Sequence, residues 1–255
     1  MRQSLILWIS AAVITFLVGF VQTRTSPTYP ISGTVGIEGK TVSYFFKKIF
    51  RDKDNYVFLL RTDTENLKGI LQSKIIGKNQ VWQIDTMKYL NGNLSVTIPK
   101  QKALTEIEYR IILTGSSGKY FLPNGTIEKL LFLDPVPLSI DIHYYLTLFI
   151  GILLAIRAGL ETLNNKPRLR LFSIFTLISF FSCAMIFAPV KKAYEMGAIG
   201  NNVPPIGKLF ELWLVALVII WIMNLVLVSF SRTPKKWILL FSALTLVVFY
   251  SQNFF

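Results

Sequence analysis

Five apolar runs dominate this chain, and each is long enough to cross the roughly 30 Å of hydrocarbon in a bilayer. They cover residues 4–21, 144–163, 171–190, 209–230 and 237–254. Lipid offers no partners to backbone N–H and C=O groups, so runs of this kind fold as helices that satisfy themselves. The chain is 52% hydrophobic and only 16% charged, against the about 25% charge of ordinary soluble domains. An integral membrane protein is expected. The first run exits through Leu17-Val18-Gly19-Phe20-Val21-Gln22 with no small-residue cleavage pattern, which reads as an uncleaved signal anchor.

The net charge of +13 is unevenly placed. Residues 22–142 hold 16 Lys/Arg against 11 Asp/Glu, whereas the other 134 residues hold 11 against 3. The excess therefore flanks the apolar runs, where it sets topology and is no nucleic-acid signature. Arg2, Arg157, Lys166, Arg168, Arg170, Arg232, Lys235 and Lys236 fall on one side, and Lys191, Lys192 and Lys208 on the other. The positive-inside rule places the N-terminus inside, and the segment between the first two runs and the C-terminus outside. Tyr144, Tyr145, Trp213, Trp237 and Tyr250 mark the interfaces as an aromatic belt.

Between the first two runs the pattern changes to period two. Tyr56, Phe58 and Leu60, then Leu94, Val96 and Ile98, then Ile107, Tyr109, Ile111 and Leu113, alternate with polar residues. Such alternation describes strands with one face in a core. Turn signals at Glu38-Gly39, Gly77-Lys78-Asn79, Asn91-Gly92, Ser116-Ser117-Gly118 and Asn124-Gly125 separate them. Seven or eight strands in an antiparallel β-sandwich of the immunoglobulin or fibronectin type are expected, with Trp82 as a core anchor. The predicted domains are a transmembrane signal anchor at 1–22, an extracytoplasmic sandwich at 23–140, and a four-helix transmembrane domain at 141–255.

Candidate chemistry is sparse. One Cys and one His exclude a disulfide framework and a Cys/His zinc site within the chain. His143 stands where the sandwich meets the second run and reads as a solvated interfacial residue. A bis-histidine haem is excluded, and His143 with Met185, Met196 or Met223 stays formally open. Arg157 and Glu161 lie four residues apart, hence on one helix face. Either they pair or contact a partner, or Arg157 snorkels to the interface and the two merely end the helix. Asn224 inside the fourth run reads as a helix–helix hydrogen bond. Ser173, Thr176, Ser179, Ser182 and Cys183 form a small-residue stripe that serves close packing within the chain or against another protein. The segment 191–208, rich in Gly, Asn and Pro, is expected to be neither helix nor strand. Phe45 to Lys53 mixes cations with aromatics and reads as a lysine-guarded strand edge or a docking site for headgroups or an acidic partner. The sequons at Asn93 and Asn124 coincide with hairpin turns.

Three stretches carry a resemblance: Ile31-Ser32-Gly33-Thr34-Val35-Gly36, Arg157-Ala158-Gly159-Leu160-Glu161, and Pro189-Val190-Lys191-Lys192-Ala193-Tyr194. On these the chain resembles a group of bacterial polytopic membrane proteins with an extracytoplasmic Ig-like domain. The resemblance implies architecture and no activity. The leading expectation is a non-catalytic accessory or scaffolding subunit of a larger membrane complex, such as one of respiratory or photosynthetic electron transport. Its partners would be other integral membrane subunits, the lipid bilayer and a protein bound by the sandwich, with no nucleic acid. No cofactor is expected within the chain, while a pigment, haem or quinone held between subunits stays open. The alternatives are a small transporter or lipid-handling protein using Arg157, Glu161, Glu211 and Asn224, and an envelope sensor or assembly factor binding a ligand through the sandwich.

Overall fold

The computed structural model describes residues 2–62, 67–77, 81–116, 118–200 and 204–252. The expected turn residues Lys78, Asn79 and Ser117, the Asn201-Asn202 pair and the end of the fifth run at Phe254 lie outside the described residues. The chain divides into two compact units. One is residues 1–27, 136–194 and 198–255; the other is 28–135 with 195–197.

The second unit is built from two β-sheets. In the first, β1 (Ile31–Ile37), β2 (Lys40–Phe46), β4 (Tyr56–Arg61), β8 (Asn93–Ile98) and β7 (Lys88–Leu90) pair in the order β1-β2-β4-β8-β7. In the second, β3 (Ile49–Phe50), β11 (Glu128–Phe132), β9 (Thr105–Gly115), β5 (Lys68–Ile75) and β6 (Gln83–Thr86) pair in the order β3-β11-β9-β5-β6, with β10 (Gly118–Leu122) also on β9. Eleven described strands exceed the seven or eight expected, because β3, β6 and β7 are too short to display an alternation of their own. The sandwich is also not wholly antiparallel: Ile49 and Phe50 run parallel to Leu131 and Phe132.

The alternating stripes face the core as expected. Tyr56, Phe58 and Leu60 are buried while Val57, Leu59 and Arg61 are exposed. Facing rings interlock across the sheets, with Tyr109 of β9 at 4.6 Å from Phe58 and 6.0 Å from Phe46. Edge and tilted contacts of this kind add to the burial of each ring. Trp82 is not among them. It lies partly exposed beside Lys74 and Arg110, 5.0 and 5.5 Å from its ring. It precedes β6, an edge strand whose four residues are all exposed, so no second sheet covers that position. Asn91 and Gly92 both take positive φ, 48° and 76°, and join β7 to β8 in the tight hairpin that Asn-Gly favours.

The first unit is helical. Among the described residues five spans are long and apolar enough to cross a membrane: Gln3–Thr25, Leu138–Leu163, Leu169–Glu195, Leu212–Phe230 and Pro234–Ser251. They are built on α1 (Arg2–Thr25), α2 (Leu138–Leu160), α3 (Leu169–Ser182), α4 (Ala188–Glu195), α5 (Leu212–Phe230) and α6 (Pro234–Ser251). Helices α2, α3, α5 and α6 pack in a ring in which α2 touches α3 and α6, α5 touches the same two, and α1 lies against α2.

Helix α2 starts six residues before the expected Tyr144. Pro137 enters with φ −55°, and Asp141 occupies the first turn, where a carboxylate suits the helix dipole. The fourth span begins three residues later than expected, at Leu212, with Glu211 extended ahead of it. The larger correction concerns 191–208. Its first five residues are helical, and Ile206–Lys208 form a 3₁₀ turn. A π-turn over Cys183–Phe187 joins α3 to α4 just ahead of Pro189. Proline cannot donate to a helical carbonyl and crowds the turn before it. The wider π-turn takes up that crowding and lets the helix continue past the proline.

Candidate functional site

Most polar side chains buried in the helical unit are engaged by other groups of that unit, and the charged ones lie toward the two ends of α2. At its C-terminal end Arg157 and Glu161 are each 1% exposed and form an ion pair one turn apart. Of the two readings open from sequence, pairing is the one realised; Arg157 does not snorkel. The guanidinium carbon stands 4.7 Å from the Phe172 ring centre and 5.3 Å from that of Trp8, so aromatic faces from α3 and α1 flank it. The second carboxylate oxygen of Glu161 accepts from the Asn164 amide and from the backbone N–H of Arg168, both at 3.0 Å. Buried charges persist only when paired and hydrogen-bonded in this manner. Arg157 Nε has no hydrogen-bond partner among the described residues.

Glycine sets how closely the neighbours approach. A Cβ on Gly159 would meet that of Ser242 at 2.9 Å, and one on Gly151 would meet the Phe180 ring at 2.6 Å. Through the first contact Ser242 Oγ reaches the Ala155 carbonyl at 2.8 Å and ties α6 to α2. At the same end Gln3 donates to the Leu163 carbonyl at 2.9 Å and Lys235 to that of Thr162 at 3.1 Å.

Asn224 is fully buried on α5, and its amide donates to Ser173 Oγ of α3 at 2.9 Å. That is the interhelical bond expected of it, although its Oδ1 has no partner among the described residues. Trp221, one turn earlier, donates to Thr245 of α6 at 2.9 Å. The small-residue stripe faces inward. Ser179 reaches the Thr147 carbonyl at 2.7 Å and Cys183 the Tyr144 carbonyl at 3.7 Å, both on α2, so at those positions the stripe serves packing within the chain.

The other end of α2 holds different groups. Glu211 accepts from the Tyr144 hydroxyl at 3.2 Å and from the Trp213 indole at 3.1 Å. Lys191, 5% exposed, pairs with Asp141 at 2.9 Å and lies 4.3 and 4.1 Å from the Tyr144 and Tyr145 ring centres. His143 is exposed, bonded through Nδ1 to the Ser139 carbonyl at 2.7 Å and stacked on Phe187. Thirteen residues separate Tyr144 from Arg157, about 20 Å along a helix. Glu211 and the Arg157–Glu161 pair are therefore held at opposite ends of α2 and do not form one site.

Sequence reasoning missed the Trp8–Arg157–Phe172 stack and the Lys191 enclosure. Pro189 hid the second, since a proline ordinarily ends a helix. Nothing in the sequence ties Trp8 to Arg157, because their partnership depends on how α1 docks. Among the described residues no group of three or more His, Cys, Asp and Glu is arranged to hold a metal ion. No known family model matches the chain, and no curated protein matches it.

Proposed function

We propose that the chain is a non-catalytic accessory or scaffolding subunit of a larger assembly in a bacterial inner membrane. In this reading the sandwich, of immunoglobulin or fibronectin type, lies outside the cytoplasm and offers a protein-binding surface. The observation that carries it is the disposition of the membrane polar groups. Arg157, Glu161, Asn224, Trp221 and Ser242 are spent on bonds between neighbouring helices or within one, and Glu211 belongs to the opposite end. What the helices offer outward is apolar: Leu5, Ile9, Phe16 and Phe20 on α1, and Phe175, Ile178 and Phe181 around α3. Such surfaces suit lipid and further helices, and a transport path needs convergent polar groups.

The deciding experiment is mass spectrometry of what co-purifies with the native chain in mild detergent, with a visible absorption spectrum of the same fraction. Stoichiometric membrane partners support the subunit reading, with or without colour from an interfacial pigment, haem or quinone. A lone, colourless 29.1 kDa species overturns it. Flux assays on Glu161→Gln and Asn224→Leu in vesicles would then address the transporter alternative, and loss of flux in a folded variant would support that. Saturable binding of a soluble ligand to the full chain would instead favour the sensor reading.

A further inference from the structure

Six exposed cations crowd the end of the helical unit where α2 finishes. Lys166, Arg168 and Arg170 come from the α2–α3 connection and the first turn of α3, and Arg232, Lys235 and Lys236 from the α5–α6 connection and the first turn of α6. The two connections are held to the same short stretch, since Lys235 bonds the Thr162 carbonyl at 3.1 Å. No Asp or Glu occurs in residues 162–194 or 212–255. The nearest carboxylate, Glu161, is buried and already committed to Arg157, Asn164 and the Arg168 amide. At the opposite end, by contrast, the buried cation Lys191 has its own carboxylate in Asp141.

The placement of these charges runs against local helix electrostatics. Helix N-termini favour anions, yet α3 and α6 have no acidic residue in the first turn and no side-chain cap, and carry Arg170, Lys235 and Lys236 there instead. A cation cluster of this density repels itself unless an external anion joins it. Each cation also lies within a turn or so of a long apolar span, which is the depth of a headgroup phosphate.

We propose that this end of the bundle is a docking surface for anionic phospholipids, whose phosphodiester groups lie among the six cations while the acyl chains follow the apolar helix faces. The proposal rests on the spans being in a bilayer and is independent of the subunit reading. Juxtamembrane basic clusters attract anionic lipid with an energy that accumulates per cation. A soluble polyanion, nucleic acid included, would leave the apolar faces beside the charges uncovered.

The test uses the purified full chain in nanodiscs of phosphatidylcholine alone or mixed equally with phosphatidylglycerol, with retained lipid counted by native mass spectrometry after transfer to neutral detergent. The unaltered chain should retain phosphatidylglycerol in clear preference and unfold at a higher temperature in the mixed discs. Lys166→Gln/Arg168→Gln/Arg170→Gln should lower that preference on the order of a hundredfold. Arg232→Gln/Lys236→Gln, which leaves the Lys235 bond in place, should lower it by roughly tenfold or more. Lys68→Gln/Lys88→Gln/Lys119→Gln, removing three exposed cations of the sandwich, should leave it unchanged. Equal retention of both lipids overturns the proposal, as does an equal loss in the sandwich variant. Abolition of the preference by millimolar inorganic phosphate would assign the cluster to a free anion, and displacement of the lipid by stoichiometric heparin would assign it to a polyanion; either result overturns lipid docking.

Discussion

The two units of this chain share an apolar interior and differ in where they put their polar and large apolar side chains. In the sandwich, rings such as Phe46, Phe58, Tyr109 and Phe132 are buried, and the strands turn Lys, Thr, Gln and Glu outward. In the helical unit, Arg157, Glu161, Ser173, Thr176, Asn224 and Thr245 are buried, while Ile9, Phe16, Phe175, Ile178 and Val247 are exposed. The two units thus follow different surface rules over similarly apolar cores, as they would if lipid and not water faced the helices. Burial of apolar surface drives folding only where water is the alternative. Where lipid is the alternative, packing and hydrogen bonds take a larger share, and the helical unit has both, in the close contacts at Gly151 and Gly159 and the bonds between helices.

The largest effects should come from the charged interior of the bundle. Glu161→Ala leaves Arg157 buried without its carboxylate and should cost about 3–5 kcal/mol. Unfolding in mixed micelles of rising SDS content would measure this, and Arg157→Leu/Glu161→Leu should recover most of the loss. The sandwich counterpart is Phe58→Ala, which empties a ring position in the core at about 3–5 kcal/mol. Calorimetry of the full chain should show that change confined to one of two transitions if the units unfold separately.

A sharper contrast comes from exposed positions. Ile178→Lys should disfavour membrane insertion by about 3 kcal/mol, whereas Val57→Lys on the outer face of β4 should stay within about 0.5 kcal/mol. Equal tolerance at the two positions would break the comparison. Thr245→Val keeps the side-chain volume and removes the acceptor of the Trp221 indole, a loss of about 1–3 kcal/mol that thermal melts should resolve.

The gentlest test is pH. Burial raises the phenol pKa values of Tyr44, Tyr56 and Tyr109 above the ordinary value of 10.0. The unfolded tyrosines release their protons first, so the sandwich should hold constant stability from this source below about pH 10 and lose it above. The share of the phenolate absorbance that a Tyr109→Phe variant lacks should rise together with unfolding of that unit and not before it.

Both rules were legible along the chain, though not to the same depth. Alternation fixed the faces of β4, β8 and β9 because each is long enough to repeat its pattern, while the two residues of β3 and the exposed β6 left none. Trp82 misled because residue type says that a ring is large, not which sheet covers it. Helix number followed from length and apolarity. The continuation past Pro189 did not, since a proline ordinarily ends a helix and only the π-turn reverses that. Arg157 and Glu161 were legible as a pair from their four-residue spacing. Their third and fourth companions, Trp8 and Phe172, were not, because docking of α1 and α3 decides which rings reach the guanidinium.

The Trp8–Arg157 stack also has a place in time. Trp8 is made before the whole sandwich and Arg157 after it, and chains grow at about 5–20 residues per second. For an interval on the order of ten seconds, α1 exists without the guanidinium that its indole will cover. Its contact with α2 cannot form earlier, so docking of the first span comes late in the making of the chain, however early that span itself is made.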